Sequence, residues 1–174
     1  MLVCVSPPLP NGREPGGLYR VSLVCLGNIC RSPMAEVVLR SSVLSAGLGD
    51  LVEVDSAGTG DWHIGQRMNG GARAALARRG YDGSAHHARQ FSPSWLESRD
   101  LVLAMDHLNL SDLRRMGGAP ERVRLFGEVG GFGGDVPDPY GGSPADFDHV
   151  LDLLESAAPV VSSRLEELLL PRLA

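Results

Sequence analysis

The sequence predicts an α/β fold: an open four-stranded parallel sheet with helices on both faces, forming a three-layer α/β/α sandwich. Two observations predict it. Short apolar runs rich in β-branched residues alternate with stretches of helical periodicity, and glycines separate them. Strands that alternate with helices form parallel sheets through right-handed crossovers. The chain has 174 residues and no internal repeat, which fits a single domain.

Four short apolar runs are the predicted strands. They cover residues 21–25, 51–55, 100–105 and 123–126. Each is bounded by polar or turn-forming residues, as buried strands of a parallel sheet are.

The predicted helices follow from periodicity and from helix-ending residues. The first begins at Pro33, which the first helical turn tolerates, and ends before Gly47. Further helices are predicted for 70–79 and 109–116, each followed by glycine. The final segment carries an apolar stripe on one helix face, in which Pro159 predicts a bend or a division into two helices.

Composition and charge exclude several functions. The formal net charge is −5, which argues against a protein that binds nucleic acid by neutralising phosphates. No apolar run reaches the roughly 20 residues that a membrane helix needs. Three cysteines are an odd number and too few to stabilise a domain of this size by disulfides, which is typical of a reducing cytosol. We therefore expect a cytoplasmic protein that binds neither nucleic acid nor a membrane.

The first 18 residues differ from the rest of the chain. They are rich in proline and glycine and lack the basic start and apolar stretch of a signal peptide. Secretion by a route without a signal peptide stays open. The sequence predicts a flexible N-terminal tail over 1–18, in which Cys4 has no functional part, and a single domain over 19–174.

The segment after the first strand carries the strongest chemical signal. Residues 25–32 read Cys-Leu-Gly-Asn-Ile-Cys-Arg-Ser and lie at the carboxyl end of a strand, where open α/β sheets place their sites. A short loop here can turn its backbone N–H groups inward as an anion nest, and the next helix adds its positive end. Gly27 permits the backbone angles of such a loop.

Two side chains of this loop suit phosphate chemistry. Arg31 offers a planar fork for two phosphate oxygens, and the positive surroundings favour the thiolate of Cys25. The pattern predicts a nucleophile beneath a bound phosphate. Alternatives are that Cys25 is a small buried hydrophobic residue, or that Cys25 and Cys30 bind a metal. Zinc sites use more ligands, and no cysteine follows Cys30.

The chain resembles the low-molecular-weight protein tyrosine phosphatases of bacterial type. The residues VCLGNICRSPMAE at 24–36 resemble the family's signature. Further matches follow in order: DSAGTGDW at 55–62, HHARQ at 86–90, MDHLN at 105–109 in the family's pattern Met-Asp-x-x-Asn, and VPDPY at 136–140. The likeness covers nearly everything but the tail.

This resemblance implies a phosphotyrosine-phosphatase I-like fold and a reaction. The family hydrolyses phosphotyrosine and aryl phosphates through a phosphocysteine. By resemblance Cys25 is the nucleophile, Arg31 stabilises the phosphoryl oxygens, and Asp138 is the general acid and base. Asp138 also lies in a long glycine-rich stretch without periodicity, as mobile functional loops do. Asp135 is expected to be exposed. No metal and no cofactor are implied.

The resemblance also implies binding and supporting residues. The expected substrate-binding residues are Leu26, Gly27, Asn28, Ile29, Cys30, Ser32, Trp62 and Tyr140. Ser56 and His86 are expected to support the loop together with Asn28 and Ser32. Simpler interpretations stay open: Ser32 as a helix N-cap, His86 as a surface residue, and the two aromatic residues as ordinary packing.

Two loop positions bear on regulation and substrate entry. Cys30 is either a reversible disulfide partner that shields Cys25 from overoxidation or an inert thiol. Gly141 stands where many relatives carry a second aromatic residue, so the pocket rim is expected to be more open.

Three other functions are weighed against phosphotyrosine hydrolysis. Protein arginine phosphatases carry threonine where this chain has Ile29. Arsenate reductases of this fold need cysteines that this chain lacks. A non-catalytic phosphate-binding module would not need both a nucleophile and an acid. The expected partner is a phosphotyrosine protein, such as a tyrosine kinase controlling polysaccharide export, and the expected oligomeric state is a monomer.

Overall fold

The sheet is parallel throughout. The computed structural model describes residues 6–170, and within them the strands are β1 Tyr19–Cys25, β2 Val52–Gly58, β3 Leu101–Ala104 and β4 Val123–Leu125. Their order across the sheet is β2-β1-β3-β4. The predicted four-stranded parallel sheet is therefore confirmed. The two central strands are β1 and β3, and their carboxyl ends lie side by side.

Helices cover both faces of the sheet. In chain order they are α1 Arg31–Ser45, α2 Gly70–Arg78, α3 Trp95–Ser98, α4 His107–Arg115, α5 Phe126–Val129 and α6 Pro144–Leu169. Helices α1, α2 and α6 enclose the larger apolar cluster on one face, while α3 and α4 pack over the smaller cluster on the other. Side chains alternate between these clusters along each strand: Leu23 faces the larger one and Val24 the smaller.

The second strand extends further than the sequence predicts. The predicted strand covers residues 51–55 and includes Asp55 but not Ser56. In the structure β2 continues to Gly58 and pairs with β1 along its whole length. Both polar side chains are buried with partners: Asp55 pairs with Arg99 at 2.5 Å, and Ser56 donates to Glu36. A buried polar residue with a partner is compatible with a strand.

Helix α6 is not divided. It runs without interruption from Pro144 to Leu169, with Pro159 inside it, so the prediction of a division into two helices is wrong. The reason lies in which face carries the proline. Pro159 is exposed, whereas the opposite stripe from Phe147 to Leu165 is buried. Because proline has no N–H, the carbonyl of Glu155 loses the helical hydrogen bond that residue 159 would donate, but Glu155 is partly exposed. Packing of the buried stripe stabilises the helix across this position.

Other boundaries also differ from the prediction. Strand β1 begins at Tyr19 rather than at residue 21, β3 lacks the predicted residues 100 and 105, and α1 begins at Arg31 rather than at Pro33. Helix α4 begins at His107 rather than at residue 109, because the Asp106 side chain caps it by accepting from the Asn109 N–H at 2.7 Å. Strand β4 ends at Leu125, and Phe126 begins the short helix α5 instead of extending the strand.

The N-terminal segment lies against the domain. Residues 6–18 contain no helix or strand, but buried Arg124 donates to the carbonyl of Pro7 at 2.9 Å. The Tyr19 hydroxyl donates to the carbonyl of Pro10 at 2.9 Å. The sequence offered no reason to connect these side chains with the predicted flexible tail. The boundary at residue 18 stays a prediction, and Cys4 lies outside the described residues.

Within residues 6–170, no helix is both long enough and apolar enough to cross a membrane.

Replacing Arg124 with alanine is expected to release this segment. Arg124 is only 4% exposed and joins the segment to Glu128 of α5. Removing it deletes the charged donor that binds the carbonyls of Pro7 and Pro8, at a cost of about 1.5–3 kcal/mol in the free energy of unfolding. Trypsin should then cleave after Arg13 faster than in the parent protein. Arg114→Ala, an exposed substitution on α4, is the control, and equal cleavage rates in all three proteins would contradict the expectation.

Candidate active site

The loop between β1 and α1 wraps around the Cys25 sulfur. Cys25 is the last residue of β1 and is 3% exposed, and Arg31 is the first residue of α1. The Asn28 N–H donates to the sulfur at 3.3 Å, and the Ser32 hydroxyl lies 3.0 Å from it. The start of α1 adds its positive end. The surroundings of the sulfur therefore stabilise negative charge.

The residue with unusual backbone angles in this loop is Asn28 rather than Gly27. We predicted that Gly27 supplies unusual backbone angles, but the left-handed residue is Asn28, with φ of 55°. Asparagine tolerates this conformation better than most residues. Gly27 matters for space instead, because a Cβ atom there would lie 2.9 Å from Cδ2 of His63.

Hydrogen bonds hold Asn28 in this conformation. Its side-chain NH₂ donates to the hydroxyls of Ser32 at 2.9 Å and Ser56 at 3.0 Å. Its side-chain oxygen accepts from the Arg89 N–H at 2.8 Å, and its backbone carbonyl accepts from Nε2 of His86 at 2.7 Å. The structure thus brings together the four residues expected to support the loop.

The surroundings of His86 favour its neutral form. Burial lowers the pKa of His86, and its hydrogen bond to the Asn28 carbonyl and the charge of Glu36 only partly offset this. Because a carbonyl only accepts, Nε2 carries the proton in this contact.

Glu36 belongs to the same network, and the sequence reasoning missed it. Its carboxylate accepts from the Ser56 hydroxyl at 2.5 Å and from Arg40 at 2.6 Å. Glu36 lies four residues after Ser32 on α1, so the two share one helix face. That spacing inside the quoted signature was the signal that could have identified it.

Arg31 lies inside the protein, close to Asp106 and to the segment that carries Val136 and Asp138. It is 4% exposed, and its Nη1 donates to Oδ2 of Asp106 at 2.5 Å and to the carbonyl of Val136 at 3.1 Å. Its Nη2 is 3.5 Å from Oδ2 of Asp138. Burial alone would lower the pKa of Arg31, but the hydrogen bond to Asp106 and the neighbouring negative charges raise it above its ordinary value. Asp106 is a second residue that sequence reasoning missed.

These groups line a cleft of about 280 Å³. Its lining residues are Cys25, Leu26, Gly27, Ile29, Cys30, Arg31, Trp62, His63, Asp138 and Tyr140. Trp62 and Tyr140 are 66% and 63% exposed, so they form the rim rather than packing inside the protein. The His63 ring, which was not predicted, lies 6.4 Å from the Tyr140 ring.

Cys30 is a buried thiol that lines the same cleft as Cys25. Burial raises its pKa to about 12, and the charges of Cys25 and Asp138 act in the same direction. Cys25 and Cys30 are both free thiols in this structure. Their reversible disulfide stays a prediction.

In the part of the chain that the structure describes, no three His, Cys, Asp or Glu side chains cluster in a way that could hold a metal ion.

The arrangement defines a class of enzyme. A thiol that accepts from the Asn28 N–H lies in a cleft, a guanidinium faces the same space, and a carboxyl group lines the cleft 3.5 Å from that guanidinium. Such a site binds a phosphate ester and presents a sulfur nucleophile to it, which is the chemistry of a cysteine-dependent phosphatase.

Comparison with known proteins gives the family. The family described as low molecular weight phosphotyrosine protein phosphatase matches residues 20–168. A low molecular weight protein-tyrosine-phosphatase of Streptomyces coelicolor is 49% identical over 147 residues, covering 80% of this chain and 89% of the relative. The chain belongs to this family, as the sequence motifs predicted, and is a protein-tyrosine phosphatase.

Solved structures agree with the assignment. YfkJ of Bacillus subtilis superimposes with a TM-score of 0.80 at 34% identity, covering 90% of this chain and 98% of that one. A mutant of YwlE arginine phosphatase with a phosphorylated active-site serine superimposes with a TM-score of 0.77 at 32% identity, covering 85% of this chain and 96% of that one.

Asp106→Asn is expected to weaken phosphate binding. The substitution removes the charged partner of buried Arg31, and a hydrogen bond to a charged group contributes about 1.5–3 kcal/mol. Inhibition by inorganic phosphate should therefore weaken by roughly 10- to 100-fold. Asp112→Asn is the control, because that carboxylate pairs with Arg115 on the surface of the same helix. Unchanged phosphate inhibition in Asp106→Asn would refute the positioning of Arg31 by Asp106.

Proposed function

We propose that Cys25, Arg31 and Asp138 carry out phosphotyrosine hydrolysis in this protein. The observation that carries the proposal is their meeting in one cleft, with the sulfur at its base and the Asp138 carboxyl 3.5 Å from Arg31. Asp138 is about half exposed, so it can exchange protons with water and reach a substrate oxygen.

In the first step the phosphate group of the substrate binds in the loop. The Cys25 thiolate attacks phosphorus, and the bond from phosphorus to the tyrosine oxygen breaks. Asp138 in its protonated form donates its proton to that oxygen, so tyrosine leaves as the neutral phenol. Arg31 and the loop N–H groups stabilise the charge on the other three oxygens. The product on the enzyme is a phosphocysteine.

In the second step water replaces the sulfur. The Asp138 carboxylate takes a proton from the attacking water, and the bond from phosphorus to sulfur breaks as the new oxygen bond forms. Cys25 leaves as a thiolate, which the Ser32 hydroxyl and the Asn28 N–H stabilise. Inorganic phosphate is released, and Asp138 is again protonated for the next substrate.

The walls of the cleft favour an aryl phosphate. Trp62 and Tyr140 offer apolar ring faces on the rim, which suit a phenyl ring. Ile29 adds an apolar side chain where a hydroxyl would be expected in an arginine phosphatase. These features favour phosphotyrosine over phosphoarginine, although the arginine phosphatase YwlE shares the fold.

The cellular setting is a further part of the proposal. We place the protein in the cytoplasm as a monomer, with a phosphotyrosine protein such as a tyrosine kinase as its substrate. The odd and small number of cysteines, three in 174 residues, is typical of a reducing compartment.

Phosphate release from phosphotyrosine and phosphoarginine peptides tests the assignment. The panel contains the parent protein, Cys25→Ser, Asp138→Asn and the surface control Asp148→Asn, with reductant and without added metal. Turnover of phosphotyrosine should vanish in Cys25→Ser, because the thiolate nucleophile is gone. It should fall by about 10²- to 10⁴-fold in Asp138→Asn, as loss of general acid–base catalysis does.

Three results would contradict this assignment. Phosphotyrosine turnover by Cys25→Ser would exclude the phosphocysteine. Preferential turnover of phosphoarginine would make the protein an arginine phosphatase. Phosphate binding without turnover of either peptide would favour a non-catalytic module.

A further inference from the structure

The acid loop, residues 130–143, has little structure of its own. It joins α5 to α6 without helix or strand and contains six glycines. Gly131, Gly133 and Gly141 have positive φ angles of 89°, 80° and 74°. Glycine loses more backbone freedom than any other residue when it is fixed. Contacts to the rest of the protein must therefore hold Asp138 over the cleft.

One of these contacts is made by Val136. Its side chain is fully buried, and its N–H donates to the carbonyl of Met105 at 2.8 Å. Its own carbonyl accepts from Arg31 at 3.1 Å. Val136 thus ties the acid loop to the end of β3 and to the phosphate-binding arginine.

A further contact is made by Asp135 with His107, the first residue of α4. Oδ1 of Asp135 accepts from the His107 backbone N–H at 3.1 Å and lies 2.5 Å from its Nδ1. A carboxylate only accepts, so Nδ1 is the protonated nitrogen in this contact. The carboxylate also faces the positive end of a helix. Asp135, expected to be simply exposed, is about half exposed and anchored.

The same junction holds both parts of the catalytic machinery. Met105, Asp106 and His107 are consecutive: Asp106 binds Arg31, and its two neighbours bind the acid loop. The spacing between the acid and the arginine is therefore set at one point of the fold. The motif Met-Asp-x-x-Asn leaves position 107 unspecified, so the resemblance assigns His107 no role.

We propose that His107 is a positioning residue for the general acid: by holding Asp135 it fixes Asp138, three residues later, above the leaving group. This inference rests on the proposed role of Asp138. It predicts an effect on protonation of the leaving group and little effect on phosphate binding.

Two substrates with different leaving groups test it. Phenyl phosphate needs a proton from Asp138 when its bond breaks, whereas 2,4-dinitrophenyl phosphate releases a stable anion. His107→Ala should lower kcat/KM for phenyl phosphate by about 3- to 10-fold, the effect of losing one hydrogen bond, and by less than about 2-fold for the dinitrophenyl ester.

Two further variants, and a repeat of His107→Ala in an Asp138→Asn protein, distinguish a positioning role of His107 from a general effect on folding. His107→Asn retains a side-chain donor near the position of Nδ1 and should restore most of the phenyl phosphate activity. Leu108→Ala, at a neighbouring residue that is 77% exposed, is the control. In an Asp138→Asn background, His107→Ala should cause no further loss, because the group that it positions is absent.

Three outcomes would overturn the proposal. They are an equal loss with both esters, no loss with either, and a loss that persists in the Asp138→Asn background. If the parent protein hydrolysed neither ester, both the proposed function and the positioning role of His107 would be wrong. If the parent is active and only the variants behave differently from expectation, the positioning role alone is wrong.

Discussion

The ion pair between Arg31 and Asp106 is the interaction on which the rest of the site depends. Arg31 is almost fully buried, and a buried guanidinium without a partner would be strongly destabilising. The ion pair joins the first residue of α1 to the N-cap residue of α4. Helix α1 follows β1 and helix α4 follows β3, and these two central strands pair with each other up to Val24 and Ala104. The sheet register thereby brings two loops to one place: the acid loop and the phosphate loop, residues 26–30 between β1 and α1.

A second constraint is that the phosphate loop is formed before substrate arrives. Asn28 adopts a left-handed conformation that few residues tolerate, and hydrogen bonds with four other residues hold it there, among them Ser56 and His86. N–H groups fixed in this way stabilise a developing charge without reorganising during the reaction.

The acid loop, in contrast, contains no helix or strand of its own. Its glycines make it entropically costly to order, and contacts with the rest of the protein, among them those of Val136 and Asp135, offset that cost.

Features set by neighbouring residues could be predicted from the sequence, whereas contacts between residues far apart in the chain could not. The spacing from Cys25 to Arg31, between a strand and a helix, is contained in consecutive residues. The roles of Asp106 and His107 arise from strand order and side-chain packing, which periodicity does not encode. The length of β2 and the continuity of α6 were missed for the same reason, since buried partners and packing outweighed local preference. Glu36 was missed although its spacing from Ser32 on α1 is local.

The central claim is that Cys25 carries the phosphoryl group between substrate and water. The most direct test is to react the protein with a phosphotyrosine peptide, quench it in acid within milliseconds and digest it with trypsin. Cleavage after Arg20 and Arg31 yields one peptide that contains both Cys25 and Cys30, and fragmentation in a mass spectrometer locates the phosphate. The account predicts one phosphoryl group on the Cys25 sulfur. Phosphate on Cys30, or turnover without a covalent phosphoenzyme, would contradict it.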